Sequence, residues 1–210
     1  TTKQDAAGAI DYVSDYVTGK FSKVDLKDSF TSYNGSIVFA SDSVQTTGSG
    51  ISVSGAVATI NKGGVYTVSG SSANGQLIIS VDKLEQVHIV LSGVSLSCQN
   101  SAPFWVKSAD KVVVTLKSGT VNKFEDGTTY GSDIDAPNAC MYAKDDLTFN
   151  GTGTLEVISH LNNGIGCSND LKFISGIYTV SAFNNAIKGK DSIAVLAAKI
   201  TVLTADDAFK

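Results

Sequence analysis

The chain has 210 residues, and its 16 basic residues stand against 20 acidic ones, which gives a formal net charge of −4. This balance excludes nucleic-acid binding driven by charge, because a surface that reads phosphates needs an excess of cations. All 16 basic residues are lysine, so the bidentate clamps that arginine forms on carboxylate are missing as well. The 17 Asp, 12 Asn, 20 Gly and 44 Ser and Thr residues, against 3 Glu, favour strands and turns over helices.

The first 45 residues differ from the rest of the chain. Apolar residues are scattered between Ile10 and Leu26 and predict a short helix or an irregular segment. A run of about 18 apolar residues does not occur, so the sequence predicts no membrane span. We expect residues 1–45 to form an N-terminal cap on a single β domain that covers residues 46–210, because the end of a stack of strands exposes unpaired edges.

An internal repeat organises the second half of the chain. Segments 141–149, 165–173 and 187–195 align without gaps, at offsets of 24 and 22 residues. Segment 106–114 fits the same template 35 residues before the first of them. About a dozen extra residues must therefore loop out, and we assign this insert to residues 122–137.

Apolar and polar residues alternate within each repeat. The alternation is seen at Val112/Val114, Leu147/Phe149, Leu171/Phe173 and Ile193/Val195, and again at Leu155/Val157, Tyr178/Val180 and Ile200/Val202. A further inward position recurs at Val106, Met141, Ile165, Ile187 and Phe209. Period-two alternation indicates strands with one buried face. Three short strands in about 22 residues predict an all-β fold, a single-stranded parallel β-helix with an N-terminal cap.

Two polar columns mark one corner of each repeat. The first contains Asn138, Asn162, Asn184 and Asp206, and the second contains Ala139, Asn163, Asn185 and Asp207. Asn and Asp tolerate the left-handed backbone of a sharp corner, and stacked side-chain amides bond along the stack. We interpret the asparagines as a structural ladder.

Several segments together resemble a known family. They are GGVYTVSG at 63–70, GQLII at 75–79, VHIVLSGV at 87–94, KDDLTFNG at 144–151, NGI at 163–165 and NAIKGKDS at 185–192. In order and spacing they resemble a bacterial family of carbohydrate-binding domains that are related in shape to pectate lyases. The resemblance covers roughly Ile51 to Lys210. It implies that the β-helix is right-handed.

The same resemblance implies a function and a location. The family is linked to pectic polysaccharide and cellulose binding and to calcium, so we expect a polysaccharide partner, a Ca²⁺ cofactor and a monomer. We also expect a secreted or bacterial cell-surface protein whose signal peptide has been removed. The chain stops just after Phe209, an inward position of a new repeat, so we expect further coils in a longer protein.

Stacked aspartates are the candidate metal ligands. Asp110, Asp145, Asn169 and Asp191 fall in one column, and Lys111, Asp146, Asp170 and Ser192 fall in the next. Equivalent side chains on adjacent strands lie about 4.8 Å apart. Calcium takes six to eight oxygen ligands, and a cation between such carboxylates relieves their repulsion. The predicted ligands are Asp145, Asp146, Asn169, Asp170 and Asp191, with Asp206 and Asp207 as a second candidate site.

Aromatic and lysine side chains are the candidate sugar contacts. Trp105 and Tyr142 flank the inward positions Val106 and Met141, so alternation points both rings outward. Lys172, Lys188 and Lys190 lie near the acidic columns, where they are candidates to pair with uronate carboxylates. Tyr130, inside the insert, is a third aromatic candidate. The insert also holds Glu125, Asp126, Asp133 and Asp135, which either complete a metal site or form a solvated loop.

Four readings of the function remain open. The first is non-catalytic binding of an acidic plant cell-wall polysaccharide, polygalacturonate, and possibly cellulose, through calcium or clustered lysine. The alternative is a calcium-dependent lyase like pectate lyase, which needs a base at the uronate C5 proton, and without arginine this leaves Lys172, Lys188 or Lys190. A glycosidase with paired carboxylates and a structural element are weaker readings. Cys98, Cys140 and Cys167 form no C-x-x-C motif and are expected to be small buried or turn residues.

Overall fold

A computed structural model describes residues 20–131 and 136–210, which form nineteen β-strands. The helix expected from Ile10 falls mostly outside the described residues, as do Asp133 and Asp135 of the insert. No helix in the described part of the chain is long and apolar enough to cross a membrane.

The strands of the first half of the described chain precede the predicted insert. In chain order they are β1 Gly35–Ala40, β2 Ser43–Gly48, β3 Ile51–Ser54, β4 Val57–Ile60, β5 Gly64–Ser72, β6 Gln76–Ser80, β7 Gln86–Cys98, β8 Phe104–Ser108 and β9 Lys111–Leu116.

The remaining strands carry the sequence repeats. In chain order they are β10 Val121–Asp126, β11 Ala139–Ala143, β12 Asp146–Gly151, β13 Thr154–Ile158, β14 Asn163–Cys167, β15 Asp170–Phe173, β16 Ile177–Ser181, β17 Ile187–Gly189, β18 Ser192–Val195 and β19 Lys199–Thr204.

A 12-stranded sheet branches at its longest strand. The order is β18-β15-β12-β9-β7-β10-β13-β16-β19, and β5 joins β7 to β1 and β2. The first half of β7, Gln86 to Leu91, pairs with β9, whereas Ser95 to Cys98 pairs with β10. Gly93 lies between these halves at a φ of 77°, a backbone conformation that side chains disfavour. The sheet therefore divides into two arms, β9-β12-β15-β18 and β10-β13-β16-β19.

A 7-stranded sheet has the order β17-β14-β11-β8-β6-β4-β3. Its strands pair in parallel from β4 to β17, while β3 and β4 form an antiparallel hairpin around Gly55. β1 and β2 form a second antiparallel hairpin.

The predicted single right-handed parallel β-helix is wrong. The strands divide into two sheets, the parallel part of the larger one curves as a half-barrel, and each sheet contains an antiparallel pair. The error came from extending a repeat seen only after residue 106 to the whole chain. Before that residue, tight turns at Ser41 and Gly55 reverse the chain, and one long strand replaces two short ones.

The register of the repeats is confirmed over most of their length. Leu147 pairs with Val112 and Leu171, and Ile187 forms a bridge with Phe209. One assignment changes. Met141 lies opposite Phe104, not Val106, so β8 is shifted by two residues from the predicted alignment.

The predicted insert is shorter than expected. Residues 121–126 form β10, which pairs with β13, so the loop begins only at Gly127. The alternating apolar side chains of these strands fill one core, in which Phe149 and Phe173 stack with ring centroids 5.2 Å apart. Both rings also meet Tyr178 edge to face.

The asparagine ladder is confirmed. The Asn185 side-chain amide donates to Asn163 Oδ1 at 2.6 Å, and the Asn163 amide donates to the carbonyl of Asn138 at 2.7 Å. Asn184 donates in the same way to Asn162 Oδ1 at 3.2 Å. Asn163 and Asn185 are each 1% exposed, so these bonds satisfy amide groups that have no access to water, while Asn185 Oδ1 is buried without a partner among the described residues.

The described part of the predicted cap docks onto one arm of the larger sheet. Phe21 is buried, and the side-chain amide of Asn150 on β12 donates to the carbonyls of Asp25 and Lys27 at 2.9 Å each. β1, which the sequence analysis placed in the cap, pairs in parallel with β5 and belongs to the sheet itself. We call residues 20–33 the N-terminal segment.

Candidate functional site

The outer face of the 7-stranded sheet carries two columns of non-core side chains. Trp105, Tyr142, Gly166 and Lys188 lie opposite one another on β8, β11, β14 and β17. The second column contains the residue two positions after each of these, namely Lys107, Lys144, Ser168 and Lys190. Side chains two residues apart on a strand share a face, and neighbouring strands lie about 4.8 Å apart. We call this surface the aromatic-lysine face.

A pocket of about 210 Å³ lies in this face. It is lined by Asn138, Tyr142, Gly166, Cys167, Ser168, Lys188 and Lys190. Tyr142 is only 8% exposed, and its hydroxyl lies 2.9 Å from the Ser168 hydroxyl, so the ring forms a fixed wall and not an open platform. The structure thus brings three of the predicted sugar-contact residues, Tyr142, Lys188 and Lys190, to one cavity.

Gly166 makes this pocket possible. A Cβ atom at this position would lie 2.8 Å from the Ala139 Cβ and 3.5 Å from the Tyr142 ring. The neighbours in its column, Tyr142 and Lys188, carry large side chains. Only glycine fits between them without displacing Ala139, and it lines the pocket.

Trp105 lies beside the pocket wall, formed by Tyr142, and the Lys107 side chain packs over its ring. The Lys107 ammonium lies 4.0 Å from the ring centroid, a cation-π contact. The indole N–H is buried without a hydrogen-bond partner among the described residues. The ring itself is half-buried, so the predicted outward direction is confirmed but the exposed area is small.

The lysines give the face a local positive charge on an acidic protein. Lys190 is exposed and Lys188 is half-buried, and neither forms an ion pair with another described residue. Lys107 is exposed on the same face. Ammonium groups that are not neutralised by the protein are available to a carboxylate ligand.

Lys172 has a different environment from the other predicted sugar contacts. Its ammonium lies 3.3 Å from Asp25 of the N-terminal segment and 3.9 Å from Asp170. Lys111 binds the same Asp25 carboxylate at 2.9 Å, and the Thr148 hydroxyl donates to it at 2.8 Å. Sugar contact by Lys172 stays a prediction, but its ammonium is already paired.

Asp25 is the centre of a buried ion network. Its side chain is 0% exposed, and the backbone N–H of Ser22 also donates to it at 2.8 Å. Burial alone would raise the Asp25 pKa, but the hydrogen bonds from Lys111, Ser22 and Thr148 outweigh it and hold the pKa well below its usual range. Sequence reasoning missed this residue because no local pattern marks it.

The predicted aspartate columns do stack. The backbone N–H of Asp170 donates to Asp146 at 3.4 Å, and Ser192 donates to Asp170 at 2.7 Å. The carboxylate of Asp145 accepts the backbone N–H of Ala109 at 3.1 Å. Asp191 is exposed, and its backbone N–H donates to the Asn169 carbonyl at 3.4 Å. The carboxylates of Asp145, Asp146 and Asp170 therefore already accept bonds from the protein.

A protein cation already lies beside the predicted calcium ligands. Lys111 lies 3.7 Å from Asp146, so an ammonium occupies space beside the carboxylate that a cation would need. Burial raises the pKa of Asp146, which disfavours its charged form. Within residues 20–131 and 136–210, no three His, Cys, Asp or Glu side chains are grouped to hold a metal. Calcium binding stays a prediction of the sequence.

The second predicted metal site lies at the end of the asparagine ladder. Asp206 and Asp207 are exposed, and Asp207 pairs with Lys210 at 3.4 Å. The backbone N–H of Asp206 donates to the Asn184 carbonyl at 2.8 Å, so this residue continues the ladder as predicted.

The insert is anchored through a second buried aspartate. Asp126 is 1% exposed and accepts hydrogen bonds from the hydroxyls of Tyr130 and Ser159, each at 2.7 Å. Burial and the bond to Asp126 raise the Tyr130 pKa well above its usual range. Tyr130 therefore anchors the start of the loop to β10. Its predicted sugar contact stays untested. The three cysteines are buried and free, as expected.

The chain was compared with known proteins. A family model described as "Carbohydrate-binding domain-containing protein" matches residues 54–210. A protein of Acetivibrio thermocellus with the same description is 41% identical over 153 residues, which cover 71% of this chain and 54% of that protein. The chain thus spans about half of the length of this relative.

A solved structure is also similar. It is titled as the polysaccharide lyase-like protein from C. thermocellum, gadolinium derivative, and it matches with a TM-score of 0.77 at 38% identity over 82% of this chain and 74% of that one. The family model covers most of the chain and includes both the aromatic-lysine face and the repeats. The chain therefore belongs to the family of carbohydrate-binding domain-containing proteins.

Proposed function

We propose that the chain binds an acidic polysaccharide of the polygalacturonate type, without catalysis, at the aromatic-lysine face. The observation that carries this proposal is the pocket in which Tyr142, Gly166, Lys188 and Lys190 meet. An aromatic wall contacts the apolar face of a sugar ring, and two ammonium groups at the opposite side pair with its carboxylate. Family membership supports a carbohydrate as the ligand.

Charge decides which carbohydrate is favoured. A chain with a net charge of −4 repels a polyuronate at long range, so binding requires a local excess of positive charge. Lys107, Lys188 and Lys190 supply that excess on one face. This arrangement does not require a bridging cation. Bridging calcium remains the second way to meet a uronate, and the same experiment tests it.

One of the three candidate bases for elimination is already paired within the protein. A lyase places a base at the uronate C5 proton and neutralises the carboxylate. Lys172, one of the three candidate bases, lies on the larger sheet. Its ammonium pairs with the carboxylate of Asp25 in the N-terminal segment, at 3.3 Å. Lys188 and Lys190 remain in the pocket, where we assign them to carboxylate pairing.

The experiment is a calorimetric titration with hexagalacturonate. Replacing both pocket lysines, in Lys188→Gln/Lys190→Gln, is expected to weaken binding about tenfold or more, since each charge-assisted contact contributes on the order of 1 kcal/mol. The matched control is Lys199→Gln, an exposed lysine on β19 of the other sheet, which should leave the affinity unchanged. Raising the salt concentration should weaken the wild-type complex and affect the double variant less.

Two further measurements test bridging calcium and lyase activity. Binding that persists in excess EDTA supports pairing with lysine, whereas its loss supports bridging calcium. Incubation with polygalacturonate and calcium should produce no increase in ultraviolet absorbance from unsaturated product, and such an increase would support the calcium-dependent lyase. Equal affinities of the wild type and the double lysine variant would contradict the proposed site.

A further inference from the structure

The N-terminal segment crosses the outer face of the β9-β12-β15 arm without forming a strand. It lies before residue 54, where the match to the family model begins. The side chains that hold it all lie within the matched region, and we call them the latch site: Lys111, Thr148, Asn150 and Lys172. The family domain therefore provides a site, and a segment outside the match fills it.

The latch site recognises one carboxylate. Asp25 of the segment accepts hydrogen bonds from the Lys111 ammonium at 2.9 Å, the Lys172 ammonium at 3.3 Å and the Thr148 hydroxyl at 2.8 Å. These three donors come from three neighbouring strands, β9, β15 and β12. Two ammonium groups and a hydroxyl that converge on one point form a site for a carboxylate, because hydrogen bonds from charged donors are the strong ones.

The latch site also recognises peptide backbone. The Asn150 side-chain amide donates to the carbonyls of Asp25 and Lys27 at 2.9 Å each. Asn150 is 1% exposed, and its Oδ1 accepts the Thr115 hydroxyl at 2.6 Å, which orients the amide toward the segment. Two backbone carbonyls two residues apart are a feature of a polypeptide and not of a sugar ring. The contacts therefore favour a peptide over a uronate as the ligand of this face.

The segment presents its aspartate on a local turn. The backbone N–H of Ser22 donates to the Asp25 carboxylate at 2.8 Å, and the Asp25 N–H donates to the Ser22 hydroxyl at 3.2 Å. The Leu26 N–H closes the turn on the Ser22 carbonyl at 3.2 Å. Side chains of this type commonly bond their own backbone in turns. Because all of these bonds are local, residues 22–26 themselves carry the conformation that meets the latch site.

The remainder of the segment is a tether between this turn and β1. Residues 28–33 form no hydrogen bond or ion pair with another described residue. An edge contact between Phe30 and the His88 ring, with centroids 5.0 Å apart, attaches this run to the sheet. A ligand on a short tether competes for its site at an effective concentration in about the millimolar range. The segment thus has the layout of a peptide ligand joined to its own binding site.

We propose that the latch site is a docking site for an acidic peptide, and that the N-terminal segment is its ligand in cis, closing the face as a removable strap. When the strap is released, the site takes the same segment of a second copy of this chain, because that segment carries the matching carboxylate and turn. The latch site lies on the larger sheet, whereas the aromatic-lysine face lies on the other sheet. The inference therefore does not rest on the proposed carbohydrate function.

The test is a fluorescence-polarisation titration with a labelled synthetic peptide of residues 20–33. The wild type should not bind this peptide at concentrations up to about 100 µM, because the tethered segment occupies the site. Asp25→Lys places a third ammonium beside Lys111 and Lys172, so it should release the strap and tighten peptide binding about tenfold or more. Asp25→Ala is the second releasing variant if Asp25→Lys does not fold. Amide hydrogen exchange should rise over residues 20–27 in the releasing variant and stay unchanged in the strands.

Matched changes on both sides assign the contact. A peptide that carries Asp25→Asn should bind the releasing variant about tenfold or more weakly than the native peptide, because it lacks the charge. Adding Lys111→Gln/Lys172→Gln to the releasing variant should abolish binding of the native peptide. The control Asp28→Ala changes an exposed residue of the tether, so it should leave the strap closed and bind no peptide, as in the wild type.

Three outcomes would overturn the proposal. In the first, a folded releasing variant binds no peptide at concentrations up to about 1 mM. In the second, hydrogen exchange in the strands rises together with that of residues 20–27, which would make the segment an integral part of the fold. In the third, the releasing variant binds hexagalacturonate through Lys111 and Lys172 but not the peptide, which would assign this face to uronates.

Discussion

The two sheets use the same residue types on their outer faces in opposite ways. On the β9-β12-β15 arm, Lys111 and Lys172 surround the buried carboxylate of Asp25, and the N-terminal segment covers them. On the 7-stranded sheet, Lys188 and Lys190 line an open pocket and have no acidic partner among the described residues. A lysine near a strand is thus structural or available to a ligand depending on what covers its face.

This difference explains why lysines available to a ligand lie on the uncovered sheet. On the covered face the charged side chains pair with one another in a fixed network, because a buried carboxylate is stable only when it is paired and hydrogen-bonded. The uncovered face keeps its charges solvated and accessible. The predictions that follow test the contrast, beginning with the covered face.

Removing the carboxylate of Asp25 should have the largest effect. Asp25→Ala leaves Lys111 and Lys172, whose side chains are 11% and 12% exposed, without their shared partner. Breaking a buried pair in this way costs about 3–5 kcal/mol of unfolding free energy. Urea denaturation measures the loss. The control Asp28→Ala, an exposed residue of the same segment, should change the unfolding free energy by no more than about 0.5 kcal/mol. A loss below about 1 kcal/mol in Asp25→Ala would contradict the buried network.

The same carboxylate should make stability depend on pH. Its pKa is lowered in the folded state relative to the ordinary value of 3.8, so the unfolded chain binds the proton more readily. The stabilisation from Asp25 is therefore complete above that value and is lost progressively as the pH falls below it. Melting temperatures measured from neutral to acid pH should fall more steeply in the wild type than in Asp25→Asn. Parallel curves for the two proteins would contradict this assignment.

On the open face, filling the pocket should weaken ligand binding moderately. Gly166→Ala places a methyl group 2.8 Å from the Ala139 Cβ and beside the Tyr142 ring. We expect about a tenfold loss of hexagalacturonate affinity, together with a destabilisation of about 1–3 kcal/mol from overpacking. The control Gly131→Ala adds a methyl group that meets no described atom within 4 Å and should change neither quantity. Unchanged affinity in folded Gly166→Ala would show that the ligand does not enter this pocket.

The smallest expected effect concerns Lys107. Lys107→Gln removes the cation-π contact with Trp105 and one positive charge of the face. A surface ion pair contributes up to about 1 kcal/mol, so the loss of this charge should lower the affinity for hexagalacturonate by about fivefold at most. Trp105 is the chain's only tryptophan, so its fluorescence reports directly on this face. Addition of ligand should change the emission in the wild type. The control Lys83→Gln, which alters an exposed lysine elsewhere, should show the same change and the same affinity.

Much of the repeat region follows from the sequence. The stacking of Asn163 on Asn185 and the pairing of Leu155 with Tyr178 were both expected, because period-two alternation fixes which side chains share a face. The two-residue shift of β8 was not expected. Phe104 and Val106 are both buried and both point inward, so the sequence pattern fits either register equally well.

The candidate site was foreseen only in its parts. Tyr142, Lys188 and Lys190 were identified as candidate sugar contacts, but the close packing that requires glycine at position 166 of the pocket has no signature of its own in the sequence. The calcium prediction rested on stacked aspartates, which the structure confirms as stacked. It did not include Lys111 as a direct neighbour of Asp146, although that lysine had been aligned in the same column.

The sequence by itself determined the strands, their inward faces and the corner ladders of the repeats, because these depend on contacts between equivalent residues about 22–24 positions apart. The tertiary structure decided the branching of the sheet at β7. It also decided which lysines are paired with a buried carboxylate and which are open to a ligand. Asp25 meets Lys111 and Lys172 across 86 and 147 positions, and no periodic pattern links them. Which charges are buried and which remain open to a ligand is set by where a segment without a repeat docks, and that depends on the folded surface.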